Sequence, residues 1–543
     1  MDSVCRGLRE GFWPPGADTH IGVYPDTHDA SLPTPSDHRK AAFLRDQRDD
    51  EIRKERFSPP FGTTLLPGMY CMPIHAVPKP NSSDLRLITD HSCGSFSLNS
   101  MIPKNSQPSY PLDNLHLFGQ VLLASRGSGR SILFKSDVSE AYRTMPMHPF
   151  WQIKQAVRVD GLLHIDRCGV FGGRRSGDFW VSFNGLVTWI AREIKGIPDL
   201  LVYSDDSYGL NAFDNFTFYV PYSKLLPTKQ FHLLSLWDDI GLPHKERKQL
   251  SGPVLPIIGI EVDPVHLTYT LSQDARKDLI DELSRFCRRR SNKAGRRTGS
   301  SSYPLKKWQR LAGWLNWSFN VFPLLRPGLS NVYQKLRGKT EPNDLIFVNN
   351  AVRDDLSWTV GHLSRLSGVL IVRSLAWDPG DADITIFCDA CLTGMGFWYP
   401  KLNSAFVSAT LVDMVCSGTP WEADRILPFE FLCVVTALRH ASWCAAPDAR
   451  IVIFTDSLNT VDMFSSLSAK PLYNPLLRYA VDILIDRNLH LRVLHVAGRD
   501  NTIADHLSRG SFKQAIACAG SDPNPLRIDN CPPPPIWLGS SGC

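Results

Sequence analysis

The chain has 543 residues, more than one ordinary domain needs. Its 43% hydrophobic and 21% charged residues exclude a globally disordered protein. The net charge of +5 permits a nucleic-acid partner without requiring one, and no apolar run reaches the roughly 18–20 residues of a membrane span.

The 13 cysteines are scattered and odd in number, unlike a secreted disulfide framework. The opening MDSVCRGLREGFWPPG has no apolar core behind a basic region, so no secretory signal is expected. These features predict an intracellular protein, cytoplasmic or nuclear, without membrane contact.

Residues 1–60 form a charged extension rich in Pro, Asp and Arg. Within it, Asp37–Arg56 reads DHRKAAFLRDQRDDEIRKER, a polar helix or a disordered segment. No chemistry is assigned to it. Residues 61–270 alternate short apolar runs with longer segments, an α+β pattern. ILFKSDVSEAYR predicts a strand at Ile132–Phe134 running into a helix at Ser139–Arg143. LLVYSDDSYGL predicts a β-hairpin with acids at its tight turn. PVLPIIGIEVD predicts one further strand, closed by Asp263-Pro264.

Residues 271–378 read as helical. Leu279, Leu283 and Phe286 share one helix face, as do Trp308, Leu311, Leu315 and Phe319. From Arg285 to Arg310 no acidic residue occurs. That run reads both as a solvated loop and as a phosphate-backbone contact. Gly295–Ser302 is a linker-like break. The stripe of Trp308, Trp314 and Trp317 reads as core before base stacking.

Residues 379–510 alternate strands and helices, an α/β layer pattern. ITIFCDA, ARIVIFTDS and LHLRVLHVAG are the strands. Leu432–Trp443 is an amphipathic helix with Pro428 near its start. Cys388 and Cys391 form a C-x-x-C with no second pair at zinc spacing, so they read as small residues beside a strand end. Residues 511–543 are a Pro/Gly/Ser-rich tail, disordered or ordered only on contact.

Two groups of acids stand out. Asp137 ends an apolar strand, and Asp205 and Asp206 sit at the hairpin turn. Acids placed within apolar runs need a compensating charge. Magnesium is the simplest answer, because it takes carboxylate oxygens together with water and substrate phosphates. A pair of such ions per site, with manganese as the alternative, serves in-line phosphoryl transfer.

Tyr203-Ser204-Asp205-Asp206 resembles the Y-x-D-D box of reverse transcriptases. Asp137-Val138-Ser139-Glu140-Ala141-Tyr142 resembles their first acidic motif. Upstream, the segment from Lys79 through Arg86 to Asp90 is similar to their fingers segment. Downstream, Gly241-Leu242 to Lys248 and Ile258-Gly259-Ile260 look like the last palm motifs. The resemblance implies that Asp137, Asp205 and Asp206 bind metal. It implies that Lys79 and Arg86 hold the triphosphate of a deoxynucleotide. It places Tyr142 as a steric gate against the ribose 2′-hydroxyl and Lys248 as a general acid for pyrophosphate. Ser272–Arg337 would be the thumb, with Leu311–Trp317 as its L-x-G-x-L-N helix. One motif departs. The family's F-G-x-x-x-A-P-x-x-F is here Phe171-Gly172-Gly173-Arg174-Arg175-Ser176-Gly177-Asp178-Phe179-Trp180.

The second group is Asp389 and Asp456 at strand ends, Glu430 in the first turn of a helix, and Asp505 in NTIADHLSR. Neighbouring strands would bring these carboxylates to one sheet end, where cations must balance them. The series resembles ribonuclease H: D-A-S-x-x-G-x-G with Cys391 in place of Ser, a helical Glu, T-D-S, and N-x-x-A-D-x-L-S-R. The resemblance carries metal-ligand roles to Asp389, Glu430, Asp456 and Asp505. His495 is read as the end of a strand rather than the catalytic His that many members carry.

The whole is similar to the polymerase segment of a retrotransposon, most like fungal tyrosine-recombinase-type (DIRS-like) elements. The implied fold is α+β multidomain, a right-hand polymerase of fingers, palm and thumb followed by an α/β ribonuclease H-like domain. The implied partners are a primer–template, an RNA–DNA hybrid and deoxynucleoside triphosphates. Two rivals stand beside this reading: a degenerate or domesticated relic that binds nucleic acid without catalysis, and a hybrid nuclease with a dead polymerase half.

Overall fold

The computed structural model describes residues 2–18, 22–79, 83–103, 112–127, 129–288, 301–372, 376–409, 426–520 and 525–534. The middle of the basic run (289–300), part of the fingers segment (80–82) and the end of the tail (535–543) lie outside the described residues. The fold is mixed α+β. The chain forms two compact units, Met1–Gly259 with Asp263–Val265, and Ile260–Val262 with His266–Cys543.

In the first unit, helix α1 spans Asp2–Glu10 and helix α2 spans His38–Arg53. Asp37 caps α2 by accepting from the Arg39 and Lys40 amides, which starts a helix in a very polar sequence. Of the two alternatives for this segment, the helix is the one found. Strands β1 (Ile74–Pro78) and β2 (Leu85–Thr89) make an antiparallel hairpin. Helix α3 (Leu115–Ala124) starts at an Asn114 cap.

Strand β3 (Ser131–Asp137) is central to a four-stranded sheet. Helix α4 (Ser176–Glu193) is followed by β4 (Leu201–Tyr203) and β5 (Asp206–Ala212), which form the expected hairpin. Helix α5 covers Thr228–Asp239, and β6 covers Leu250–Gly252. The sheet order is β6-β3-β5-β4, antiparallel throughout. Phe134, Trp180, Leu233 and Trp237 are buried in the core of this unit.

Two local expectations change. The helix expected at Ser139–Arg143 is a 3-10 turn over Ala141–Thr144, entered through Glu140 at φ 58°. A residue with a Cβ in that left-handed conformation cannot open an α-helix. The single strand expected in PVLPIIGIEVD is two, Leu255–Ile257 and Ile260–Asp263. They part at Ile258 and Gly259, both at positive φ (50° and 76°), which turns the chain back.

In the second unit, helices α6 (Gln273–Cys287), α7 (Leu305–Ser318) and α8 (Asn350–Arg365) come first. Leu279, Leu283 and Phe286 of α6 are buried, and so are Trp308, Leu311, Leu315 and the adjoining Phe319. Trp308 donates to the Ile346 carbonyl at 3.2 Å, so it is core; Trp314 and Trp317 are half-buried.

A six-stranded mixed sheet follows. Strands β7 (Ile384–Cys391), β8 (Gly394–Tyr399) and β9 (Ser404–Ala409) form an antiparallel meander. Helix α9 runs from Leu427 to Cys444. It starts five residues before the expected helix and is buried on most sides rather than amphipathic, as a helix enclosed in a core must be. Strand β10 (Arg450–Thr455), helices α10 (Leu458–Ser466) and α11 (Asn474–Arg487), and strand β11 (His490–His495) continue the layer. The sheet is flanked by α9 and α11 on one face and by α12 (Thr502–Ser508) and α13 (Phe512–Ala519) on the other. The last strand is β12 (Arg527–Asn530). The order is β11-β10-β7-β8-β9-β12.

The described part of the tail is therefore not disordered. Strand β12 pairs in parallel with β9, and Ala515, Leu526 and Cys531 are buried. Apolar residues spaced among the prolines supply that burial. Truncation after Gly510 is expected to uncover the β9 edge and lower the melting temperature of the second unit, with aggregation through the exposed strand. A truncated chain that melts with the full chain in calorimetry would contradict this. Among the described residues, no helix is long and apolar enough to cross a membrane.

Candidate active sites

The first group of acids meets across the β3–β5 ladder. Asp137 is the last residue of β3 and faces Asp206, the first residue of β5, in register. Directly opposed residues share a sheet face, so like charges are set side by side. Asp205 is in the two-residue turn with Ser204, and its carbonyl accepts from the Val138 amide at 3.4 Å. Ser204 has φ 60°, and its carbonyl takes two donors from α4: Trp180 Nε1 at 3.0 Å and Asn184 Nδ2 at 2.9 Å. One turn apart on that helix, these two side chains hold the turn. The sequence reading missed them, although their i, i+4 spacing was available.

Lysines balance the pair. Lys135 Nζ lies 2.8 Å from Asp206 Oδ2, and Lys248 pairs with Asp137 Oδ1. Burial raises the Asp137 carboxyl above its ordinary range; Lys248 pulls it down and Asp205 and Asp206 push it up. Lys248 is thus beside the first acid, as expected, while Lys135 was not singled out. The Tyr142 ring packs 4.9 Å from Phe171, and its hydroxyl meets Ser204. Lys79 and Arg86 are exposed on the β1–β2 hairpin, where Lys79 faces Asp84 at 3.7 Å. Nothing among the described contacts joins these two to the carboxylates.

The departing motif has a structural explanation. A Cβ on Gly172 would stand 1.9 Å from the Thr89 carbonyl, so only glycine fits there. Asn99 clamps the loop by donating to the Gly172 carbonyl at 2.7 Å and accepting from the Arg174 amide at 2.8 Å. Arg174 donates to the Ile102 carbonyl, and Arg175 to Asp178 at 2.7 Å and the Pro103 carbonyl at 3.3 Å. Arg174 and Arg175 of this string thus tie it to the Ile102-Pro103 segment.

The second group gathers at one end of the six-stranded sheet. The β7–β10 register runs to the Phe387–Phe454 pair; Asp456 follows the end of β10, and its charge acts on Asp389. Glu430 is in the first turn of α9, and Asp505 is on α12, which packs on β7 and β8. Ser508 Oγ donates to Asp389 Oδ2 at 2.6 Å, and Asn501 Nδ2 to the Cys388 carbonyl at 3.0 Å. Asp505 Oδ1 accepts from Arg509 Nε at 2.7 Å. Burial pushes Asp389 up to about 6, with Ser508 opposing and Asp456 and Asp505 adding to the rise. Burial also raises Glu430, with Ser457 opposing and Asp456 adding. His495 is the exposed last residue of β11, as read. Cys388 and Cys391 are free thiols that donate to the Phe454 and Ser508 carbonyls at 3.4 and 3.1 Å.

The glycines of the first ribonuclease H-like string let α12 approach. A Cβ on Gly396 would meet Leu507 Cβ at 2.5 Å, and one on Gly394 the Ser508 carbonyl at 2.7 Å. Gly396→Ala is expected to push α12 outward, destabilise the second unit by about 1–3 kcal/mol and move Asp505 and Ser508 off Asp389. Denaturant melts check this, and an unchanged midpoint would count against it.

No three His, Cys, Asp or Glu side chains are drawn tightly enough to hold a metal by themselves among the described residues. The donor chemistry nevertheless suits a hard divalent cation. The donors are all carboxylate oxygens, Asp389 and Glu430 hold their protons more tightly than usual through burial with added repulsion from Asp456, and buried Asp456 Oδ1 has no hydrogen-bond partner.

No protein-family model and no curated protein matches this chain. Solved structures are similar to it. The foamy viral protease-reverse transcriptase in complex with dsDNA is 14% identical, with a TM-score of 0.45 over 87% of this chain and 86% of that one. Its dRH form in complex with ds DNA gives 14%, 0.43, 89% and 74%, and its complex with an RNA/DNA hybrid gives 14%, 0.43, 87% and 55%. Likeness at that level assigns no activity, and the assignment below rests on the residues.

Proposed function

We propose that this chain is an RNA-directed DNA polymerase with ribonuclease H activity, from a retroelement. The observation that carries the reading is the register of Asp137 against Asp206 with Asp205 in the adjoining turn. The convergence of Asp389, Glu430, Asp456 and Asp505 supports the nuclease half. The NTIADHLSR string favours the tyrosine-recombinase-type source.

In the polymerase half, a primer 3′-hydroxyl attacks a deoxynucleotide and pyrophosphate leaves. Asp137, Asp205 and Asp206 would hold two magnesium ions, which supply nucleophile activation and charge neutralisation when bound. Arg86 and Lys79 bind the triphosphate, the arginine through its planar fork. Tyr142 closes the space a ribose 2′-hydroxyl would need. Lys248, an ammonium beside Asp137, is assigned the proton given to pyrophosphate. In the nuclease half, Asp389, Glu430, Asp456 and Asp505 orient water against the RNA strand of a hybrid, with Ser508 holding Asp389 in place.

One observation favours the relic reading. Lys135 and Lys248 already neutralise two of the first three acids, an arrangement that a metal-free binding protein would retain. Primer extension on an RNA template, with and without magnesium, separates the two. Magnesium-dependent extension is expected, and its absence alongside hybrid cleavage would leave the nuclease alone.

A further inference from the structure

The segment Asp37–Arg56 carries no motif, yet it pairs with the side chains of Glu140 and Arg143, which flank Tyr142. Glu51, near the end of α2, accepts from Arg143 Nη2 at 2.5 Å. Arg143 Nη1 donates to both oxygens of Asp166, at 2.8 and 2.9 Å, and to the Gly169 carbonyl at 3.2 Å. These side chains are almost fully enclosed, with 7% of Arg143, 4% of Glu51 and 1% of Asp166 exposed. A buried charge trio of this kind is a poor source of net stability, but removing one member is costly. It sets position.

The other side of Tyr142 is held from the same helix end. Glu140 stands in the left-handed region, which costs a residue with a Cβ free energy that neighbouring contacts must offset. Its carboxylate accepts from Arg56 Nη1 at 2.5 Å and Lys54 Nζ at 3.1 Å. The 3-10 turn bearing Tyr142 therefore has Glu140 pinned before the ring and Arg143 pinned after it. The Tyr142 hydroxyl meets Ser204, in the turn that also carries Asp205.

We propose that the end of α2 and the residues just after it are a positioning element for nucleotide selection: Glu51, Lys54 and Arg56 set the depth of the Tyr142 ring and so the rejection of ribonucleotides. This rests on the polymerase reading. A purely structural role would lower stability and slow both nucleotide classes alike. A positioning role changes their ratio.

The test is single-nucleotide incorporation by the full chain on a primed RNA template with magnesium, using dNTP and rNTP separately. Glu51→Gln and Arg56→Gln are each expected to lower the dNTP over rNTP ratio of kcat/KM by about tenfold, mainly through a lower rNTP KM. Arg56→Lys is expected to restore most of the ratio. Arg56→Gln decides the matter if Glu51→Gln does not fold. A folded, active Arg56→Gln chain with the wild-type ratio overturns the proposal alone. A wild-type chain inert with dNTP overturns the polymerase reading, and this proposal with it.

Discussion

Asp205→Asn is expected to abolish primer extension while leaving hybrid cleavage at the wild-type rate. The substitution keeps the side chain's size and removes one charged ligand oxygen. The Asp205 contact that holds the turn is made by its backbone carbonyl, to the Val138 amide, and survives. The turn is further fixed by Trp180 and Asn184 through Ser204. Stability should therefore change by no more than about 0.5 kcal/mol. Extension should fall by about a thousandfold or more, a loss of roughly 4 kcal/mol of transition-state stabilisation. Primer extension and hybrid cleavage measured on one preparation check this. Extension retained at the wild-type rate would remove the metal role from the turn.

Asp389→Asn should do the reverse, and it should also stabilise the metal-free protein at neutral pH. Burial pushes Asp389 up to about 6 in the folded chain, from the 3.8 of an ordinary aspartate. A raised folded pKa means that the folded state binds the proton more tightly. The resulting stability is full below the unfolded value and is lost as pH rises through about 6. Above that pH the wild-type chain carries a buried charge beside Asp456 and Asp505, and the asparagine variant does not. Asparagine also keeps an acceptor for Ser508. In EDTA the variant should unfold about 1–3 kcal/mol harder near pH 7.5, with the gap closing towards about pH 4. Magnesium should raise the wild-type melting temperature more than the variant's. Hybrid cleavage should fall below detection while primer extension persists. A variant less stable than wild type at neutral pH in EDTA would mean that the second group of acids is not strained by its own charge.

The local pattern was legible in the sequence because its causes are local. Alternation around YSDDS specifies a hairpin, and the periodic faces at Leu279–Phe286 and Trp308–Phe319 specify helices that bury those faces. The local setting of several acids was legible for the same reason: Asp137 ends a strand, Asp205 sits in a tight turn and Glu430 lies in the first turn of a helix, whereas Asp389 lies inside its strand rather than at its end. Misreadings arose where backbone conformation overrode pattern: Glu140 at positive φ replaced a helix by a 3-10 turn, and Ile258-Gly259 divided one apolar run into two strands.

What the tertiary structure alone decided is which of these pieces are neighbours. Asp137 faces Asp206 because two strands 69 positions apart pair in one register. Ser508 reaches Asp389 because Gly394 and Gly396 leave room for a helix. The charged segment near the start is tied to the turn that bears Tyr142 through Glu51 and Arg143, 92 residues apart. The tail becomes a sixth strand through buried Leu526 and Cys531. Propensity and periodicity act over one or two turns of chain, whereas register, close approach and buried ion pairing depend on packing between segments distant in sequence.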